Sequence, residues 1–278
     1  MTNIVVLIKQ VPDTYSERKL SDGDYTLDRE AADAVLDEIN EKAVEQALQI
    51  KEANGGEVTV LCAGPDRATE AIRKALSMGA DKAVHLNDEA LHGSDVVQTA
   101  WAIANVLGTI EGTELVVCGN EAPAGRMGAV PAIIAEYLGL PQLTHMRTLE
   151  ISGDTVKGER ETDEGLFEVE ATLPCVVSVG EKINEPRFPS FKGIMAAKKK
   201  TPEVLTIADL GIEDGVLGVA NSGSSVSPQA AAQRRREGGR RGRGRQRRRQ
   251  VPRGAEAHLT RAHPTDSHQF LSRRTHHG

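Results

Sequence analysis

The loop at residues 119–128 has the residue types best suited to binding chemistry. Glycine stands at both of its ends and at Gly125, and the segment that follows is a predicted helix. Glycine lets the backbone approach a ligand closely, and the free N–H groups of a helix start can receive a phosphate. Arg126 adds a cation in the same loop. The loop therefore favours a phosphate site. Its spacing is neither a GxGxxG motif nor a P-loop, so an ordinary strand-to-helix turn stays as the alternative.

Residues for bond chemistry are missing from the sequence. It contains no evident catalytic triad, no pair of carboxylates and no cluster with metal-ligand spacing. His85 ends a predicted strand, and His92 and His145 lie in predicted loops, so we interpret all three as structural. The three cysteines lie far apart in apolar runs, which argues against zinc and against a disulfide framework. These features favour a binding or carrier protein over an enzyme.

Residues 1–141 alternate between apolar runs and amphipathic segments. The apolar runs predict buried strands at Ile4–Ile8, Val58–Ala63, Lys82–Leu86 and Leu115–Gly119. The amphipathic segments predict helices, the first at Asp33–Glu52 and the third at Asp95–Leu107, capped by Ser94. This order predicts an α/β fold, a parallel sheet with helices on both faces. Ligands of such sheets bind at the carboxyl ends of the strands, where the 119–128 loop would lie.

Residues 142–183 have a different sequence pattern. Short β-like runs are separated by the turn signals Gly153-Asp154 and Asp163-Glu164-Gly165. This pattern predicts a small antiparallel β section packed beside the main sheet. Its runs are Thr148–Ile151, Thr155–Glu161, Phe167–Ala171 and Cys175–Val179.

The segment 184–200 contains two prolines and two phenylalanines. It also contains the apolar residues Ile194 and Met195, in an otherwise polar setting. Apolar side chains exposed on a loop indicate a docking surface. The alternative is a loop tucked against its own core. The run Lys198–Lys200 beside it is typical of a solvated face and does not by itself support nucleic-acid binding.

The charge changes sign along the chain. Residues 1–227 contain 20 Lys and Arg against 37 Asp and Glu, whereas residues 228–278 contain 14 Arg against three acidic residues. Residues 227–278 hold too few apolar residues to fold alone, so we expect a disordered Arg-rich tail. It is either an RGG-like nucleic-acid arm or, as we favour, the product of a frameshift in a GC-rich gene. We expect no nucleic-acid partner.

Apolar residues make up 39% of the chain, enough for a core, but no run reaches the roughly 18 residues of a membrane span. The short run Ile4–Ile8 also lacks the basic start of a secretory signal. We therefore expect a cytoplasmic protein without stable membrane insertion.

Several separate segments resemble the beta subunit of electron transfer flavoproteins, in an actinobacterial form. The resemblance runs from Met1 to about Val226. The matching segments are Val6–Asp13, Asn40–Glu45, Cys62–Pro65, Ala75–Ala83, Asn184–Arg187 and Gly193–Lys200. It implies a Rossmann-like fold of the adenine-nucleotide-hydrolase type. It also implies a heterodimer with an alpha subunit that holds most of the FAD. The beta subunit would bind AMP, as in the ordinary carriers, or a second redox nucleotide, as in the bifurcating relatives.

The resemblance also implies positions for the binding residues. Those expected to bind the nucleotide are Leu7, Asn40, Ala63, Gly119, Asn120, Glu121, Ala122, Gly125, Arg126, Met127 and Gly128. Segment 184–200 would be the partner recognition loop, with Phe191 as its apolar anchor. The partner-binding residues are Asn184, Glu185, Pro186, Arg187, Phe191, Ile194, Met195, Lys198, Lys199 and Lys200. Electrons would come from acyl-CoA and related dehydrogenases and leave to a quinone oxidoreductase.

The sequence departs from the family's pattern in two places. The phosphate loop usually carries Thr or Ser, then Asp and Gly, and a further Thr. Here Pro123, Ala124, Gly125 and Met127 stand instead, so we expect AMP binding to be weakened but not abolished. The tail replaces a C-terminal arm that reaches over the alpha subunit, which would loosen the contact between the subunits. The alternative function is a stand-alone adenine-nucleotide-binding regulatory domain of the universal-stress type.

Overall fold

A computed structural model describes residues 1–17, 19–22, 26–213 and 217 of the chain. Its strands are β1 Ile4–Ile8, β2 Gln10–Pro12, β3 Ala34–Leu36, β4 Val58–Ala63, β5 Lys82–Leu86, β6 Leu115–Gly119, β7 Gln142–Met146, β8 Glu150–Ser152, β9 Thr155–Thr162, β10 Gly165–Thr172, β11 Cys175–Val179 and β12 Glu203–Leu205. Its α-helices are α1 Glu38–Asn54, α2 Thr69–Met78, α3 Val96–Thr109, α4 Val130–Leu138 and α5 Phe191–Ala197.

The main sheet has the order β10-β9-β7-β11-β6-β1-β4-β5-β12. Strand β1 lies in the middle and pairs in parallel with β4 on one side and β6 on the other. The chain first adds strands on the β4 side and then crosses to the β6 side. The sheet order therefore reverses between β1 and β6, and such a reversal opens a crevice at the carboxyl ends of the two strands.

Alternate side chains of β1 enter two separate cores. Ile4, Val6 and Ile8 pack with residues of α1 and α2, whereas Val5 and Leu7 pack with residues of α3 and α4. Burial on both faces explains why this strand is a continuous apolar run rather than an alternating one. The predicted α/β fold, with helices on both faces of a mostly parallel sheet, is confirmed.

One strand expected in the antiparallel section belongs to the parallel part of the sheet instead. Strand β11 lies between β6 and β7 and pairs in parallel with both. Its five residues are all buried, as befits a central strand rather than a half-exposed hairpin. The antiparallel part consists of β8, β9 and β10, and β9 joins the same sheet through β7. A separate antiparallel pair, β2 and β3, lies off the main sheet.

Two helix starts also differ from the predictions. Helix α1 begins at Glu38 rather than Asp33, because Ala34–Leu36 pairs with β2 as a strand. Helix α3 is capped by Asp95 rather than Ser94, since the Asp95 carboxylate accepts the N–H of Gln98 at 2.8 Å. Within the described part of the chain, no helix is long and apolar enough to cross a membrane. The predicted tail at 227–278 lies outside the described residues.

Candidate functional site

The crevice between the ends of β1 and β6 is built around Asn40, in the first turn of α1. The Oδ1 atom of Asn40 accepts the backbone N–H of Lys9 at 2.7 Å, which ties the helix start to the end of β1. On the other side, Gly119 ends β6. A Cβ atom on Gly119 would overlap Nδ2 of Asn40 and lie 3.0 Å from Cγ2 of Ile39. The crevice therefore depends on a glycine at this position.

The loop after β6 is tied to the end of β1 by a half-buried lysine. The Nζ atom of Lys9 donates to the carbonyl oxygen of Ala124 at 2.9 Å. The next two residues, Gly125 and Arg126, have φ angles of 97° and 51°. Such left-handed conformations are unusual for a residue with a side chain and occur preferentially at functional loops. Burial and the nearby charge of Arg29 lower the pKa of Lys9.

A buried carboxyl group lies behind the crevice. The side chain of Asp37 belongs to a residue that is only 1% exposed, and its Oδ2 atom has no hydrogen-bond partner among the described residues. Burial raises the pKa of Asp37 to about 6, opposed by hydrogen bonds from the amides of Ile39 and Asn40 and by the charge of Lys9. Partnerless buried carboxyl oxygens are rare, and this one is shielded from solvent behind the crevice.

We predict that Asp37→Asn changes the pH dependence of stability. The folded-state pKa lies above the ordinary value of 3.8, so the folded protein binds the proton more tightly than the unfolded chain. Ionising Asp37 therefore opposes folding as the pH rises towards 6. The free energy of unfolding of the variant minus that of the wild type should therefore rise by about 1–3 kcal/mol as the pH goes from about 4 to about 7. Urea unfolding across this range measures the difference, and parallel curves for the two proteins would refute the prediction.

The predicted nucleotide-binding residues lie along one edge of the sheet. Leu7 and Ala63 are at the carboxyl ends of the neighbouring strands β1 and β4, and Asn40 begins α1. The rest lie at or after the end of β6: Gly119, Asn120, Glu121, Ala122, Gly125, Arg126, Met127 and Gly128. Arg126 and Met127 are exposed, whereas the Leu7 side chain packs into the core. Contact of these residues with a nucleotide stays a prediction.

Two polar residues at this edge, Asp37 and Ser178, were not singled out from the sequence, and His145 was interpreted as structural. The backbone N–H of His145 donates to Oγ of Ser178 at 2.9 Å, and His145 Nδ1 lies 3.4 Å from Nδ2 of Asn120. The serine within the apolar run of β11 was the available signal, because polar residues at the ends of buried strands are rarely placed there by packing alone.

The segment 184–200, which we call the docking segment, is held on α1 and α2. Its Arg187 side chain lies between two carboxylates of α1, Glu45 and Glu52. Farther along, Ser190 caps α5 by accepting the N–H of Gly193 at 3.0 Å. A Cβ on Gly193 would overlap the carbonyl oxygen of Ser77, so α5 approaches the end of α2 very closely.

Between these attachments the docking segment exposes apolar side chains. Phe188 is 96% exposed and Phe191 is 81% exposed, while Ile194 and Met195 are each exposed by more than two fifths. Ala197 faces inward and is buried. Of the lysine run, Lys198 and Lys199 are exposed, and Lys200 donates to the carbonyl oxygen of Ala80 at 2.5 Å. The segment is thus tucked against its own domain along one side and leaves an apolar surface along the other.

Comparison with known proteins finds the same family at two levels. The model of the electron transfer flavoprotein domain matches residues 24–210. The electron transfer flavoprotein subunit beta of Mycobacterium tuberculosis (strain ATCC 25618 / H37Rv) is 74% identical over 231 residues, which cover 81% of this chain and 87% of that protein. The Mycobacterium leprae subunit is 73% identical with the same coverage. That of Thermoanaerobacterium thermosaccharolyticum is 39% identical over 225 residues, covering 81% of this chain and 86% of its own.

These matches confirm the resemblance found in the sequence segments. The relatives are named as subunits of an electron transfer flavoprotein. The fold and the two candidate surfaces lie within the described residues of this chain. The chain therefore belongs to the electron transfer flavoprotein family, as a member of its beta-subunit type.

Proposed function

We propose that this chain is the beta subunit of a heterodimeric electron transfer flavoprotein. It pairs with an alpha subunit that holds most of an FAD, and it binds AMP itself. The assembled carrier takes electrons from acyl-CoA and related dehydrogenases and passes them to a quinone oxidoreductase. The observation that carries the proposal is one chain presenting both a strand-end crevice and a separate exposed apolar segment, within a family of electron carriers.

The crevice between β1 and β6 suits a nucleotide. Gly119 lets Asn40 approach the end of β6 closely, because any side chain there would overlap Nδ2 of Asn40, and Oδ1 of the same amide accepts the backbone N–H of Lys9 after β1. The left-handed pair Gly125 and Arg126 brings backbone and a guanidinium to the same edge. Residues from Asn120 to Gly128 would surround the phosphate, and Asn40 would lie beside the adenosine.

The bound flavin supplies the electron-transfer chemistry, and this chain supplies binding and position. Asn40 and Lys9 fix the ends of the crevice relative to each other through the hydrogen bond between them. The Nζ atom of Lys9 holds the loop backbone at Ala124. The proposal assigns no bond-making step to the residues of this chain.

The proposal predicts a coloured complex. Co-expression of this chain with an alpha-type subunit from the same organism should give a yellow heterodimer with a flavin absorption spectrum. Denaturing it should release both FAD and AMP, which chromatography of the supernatant would identify. A colourless chain that binds AMP equally well without any partner would instead favour a stand-alone regulatory domain. The purified chain without its partner serves as the control.

A further inference from the structure

Arg187 makes the densest set of polar contacts in the docking segment. Its Nε and Nη2 atoms donate to the two carboxylate oxygens of Glu45 at 2.7 and 3.0 Å. Its Nη1 atom donates to Glu52 at 2.5 Å, and its backbone N–H donates to Glu45 at 3.1 Å. Paired parallel hydrogen bonds between a guanidinium and a carboxylate fix orientation as well as distance.

The Glu45 end of this contact is shielded from water. The side chain of Glu45 is only 6% exposed, whereas those of Arg187 and Glu52 are 34% and 59% exposed. Burial raises the pKa of Glu45, but the hydrogen bonds from Arg187 and Gln49 and the charge of Arg187 together hold the pKa below the ordinary value. A shielded ion pair loses less of its strength to solvent and salt than a surface pair does.

A second attachment to α1 lies three residues earlier. Nδ2 of Asn184 donates to the carbonyl oxygen of Lys42 at 3.1 Å and to Oε1 of Gln46 at 3.2 Å. In return, Nζ of Lys42 donates to the carbonyl oxygen of Asn184 at 2.7 Å. The docking segment is therefore held to successive turns of α1 before its exposed part begins.

The far end of the exposed part is also fixed. Gly193 lies against the carbonyl oxygen of Ser77 at the end of α2, and Ala197 is buried. Phe188 and Phe191 lie between this contact and Arg187. Neither aromatic ring is buried against its own domain, so their placement depends on the backbone that is held at both sides of them.

We propose that the contact of Arg187 with Glu45 and Glu52 is a positioning device that holds the docking segment in the conformation its redox partner binds. Arg187 and Glu45 act through the segment and need not touch the partner. The inference rests on the proposed docking function of Phe191. Affinity for the redox partner is then set by residues that face inward, towards α1, as well as by those that face outward.

Loss of this contact should weaken docking without altering the cofactor. Each side chain that has to be ordered on binding weakens association, and one or two such side chains correspond to about a tenfold change in affinity. The double variant Glu45→Gln/Arg187→Gln removes both charges together, so no buried charge is left unpaired. We expect the dehydrogenase to show about a tenfold higher KM for the variant heterodimer, with kcat at saturation unchanged.

The test uses the full heterodimer, a purified acyl-CoA dehydrogenase and its acyl-CoA substrate. Hydrogen exchange of the amides at 184–200 should become faster in the double variant, and the flavin spectrum should stay the same. Arg187→Lys keeps the charge but not the paired hydrogen bonds, so its KM should lie between wild type and double variant. Glu52→Gln, at the more exposed end, should have a smaller effect.

The same measurements distinguish failure of the positioning role of Arg187 from failure of the docking function of the segment. If Phe191→Ala raises KM but the double variant does not, although exchange at 184–200 becomes faster, the positioning role is overturned. An unchanged rate of exchange in a folded double variant overturns it as well. If neither variant alters KM, the docking function of the segment fails first. A raised KM together with faster exchange supports the proposal.

Discussion

Replacing Phe191 by alanine should weaken the encounter between the heterodimer and its dehydrogenase about a hundredfold, while the flavin stays bound. The Phe191 ring is 81% exposed, so its removal opens no cavity in the fold. A large apolar side chain that fills a partner's pocket typically contributes about 2–4 kcal/mol to binding, and 2.7 kcal/mol corresponds to roughly a hundredfold in affinity. The free energy of unfolding should change by less than about 0.5 kcal/mol, as for other surface substitutions.

Steady-state kinetics with the heterodimer as the varied substrate measures this effect as a rise in KM. Phe188→Ala is the matched control, because Phe188 is even more exposed and lies three residues away, outside the anchor position. It should change KM much less. Equal effects of the two substitutions would mean that general apolar character, rather than a specific anchor, drives docking. No effect of Phe191→Ala would refute the anchor.

Replacing Gly119 by alanine should lower the affinity for AMP by about one to two orders of magnitude. The new methyl group would overlap Nδ2 of Asn40, so the Asn40 side chain has to move. That movement breaks the hydrogen bond from the backbone N–H of Lys9, and a buried group left without its partner costs about 1–3 kcal/mol. The change acts on the crevice and leaves the docking segment untouched.

Calorimetric titration of the heterodimer, after its bound nucleotide has been removed, measures the AMP affinity. Gly108→Ala is the matched control, because a Cβ at Gly108 in α3 meets no atom within 4 Å. Gly108 is the penultimate residue of α3, so this control should change the free energy of unfolding by no more than about 0.5–1 kcal/mol. AMP affinity that is equal in Gly119→Ala and wild type would exclude the crevice beside Asn40 as the nucleotide site.

The strands that carry the crevice could be predicted because each is a continuous apolar run. Burial on both faces leaves that pattern directly in the sequence, as in β1 and β6. The place of β11 could not be predicted, because a run of five buried residues fits a hairpin core and a parallel strand equally well. Its partners, β6 and β7, are decided by long-range packing.

The contacts that hold the docking segment could not be predicted from the sequence, for a different reason. Arg187 and Glu45 are 142 positions apart, and no local pattern joins two charged residues at such a separation. Asp37 was assigned to the body of a helix, because the apolar spacing that begins nearby hides the short strand before α1. The predicted arginine-rich tail at 227–278 lies outside the described residues.

Helix α1 supports both surfaces of this chain. Asn40 meets the crevice and Glu45 meets the docking segment, and five residues span only about 7.5 Å of helix axis. An engineer who wishes to retarget the carrier to a new electron donor should therefore leave this helix intact. Variation is better confined to the exposed stretch from Phe188 to Met195, with Gly193 kept. We expect a library restricted in this way to change donor choice while preserving the proposed nucleotide binding.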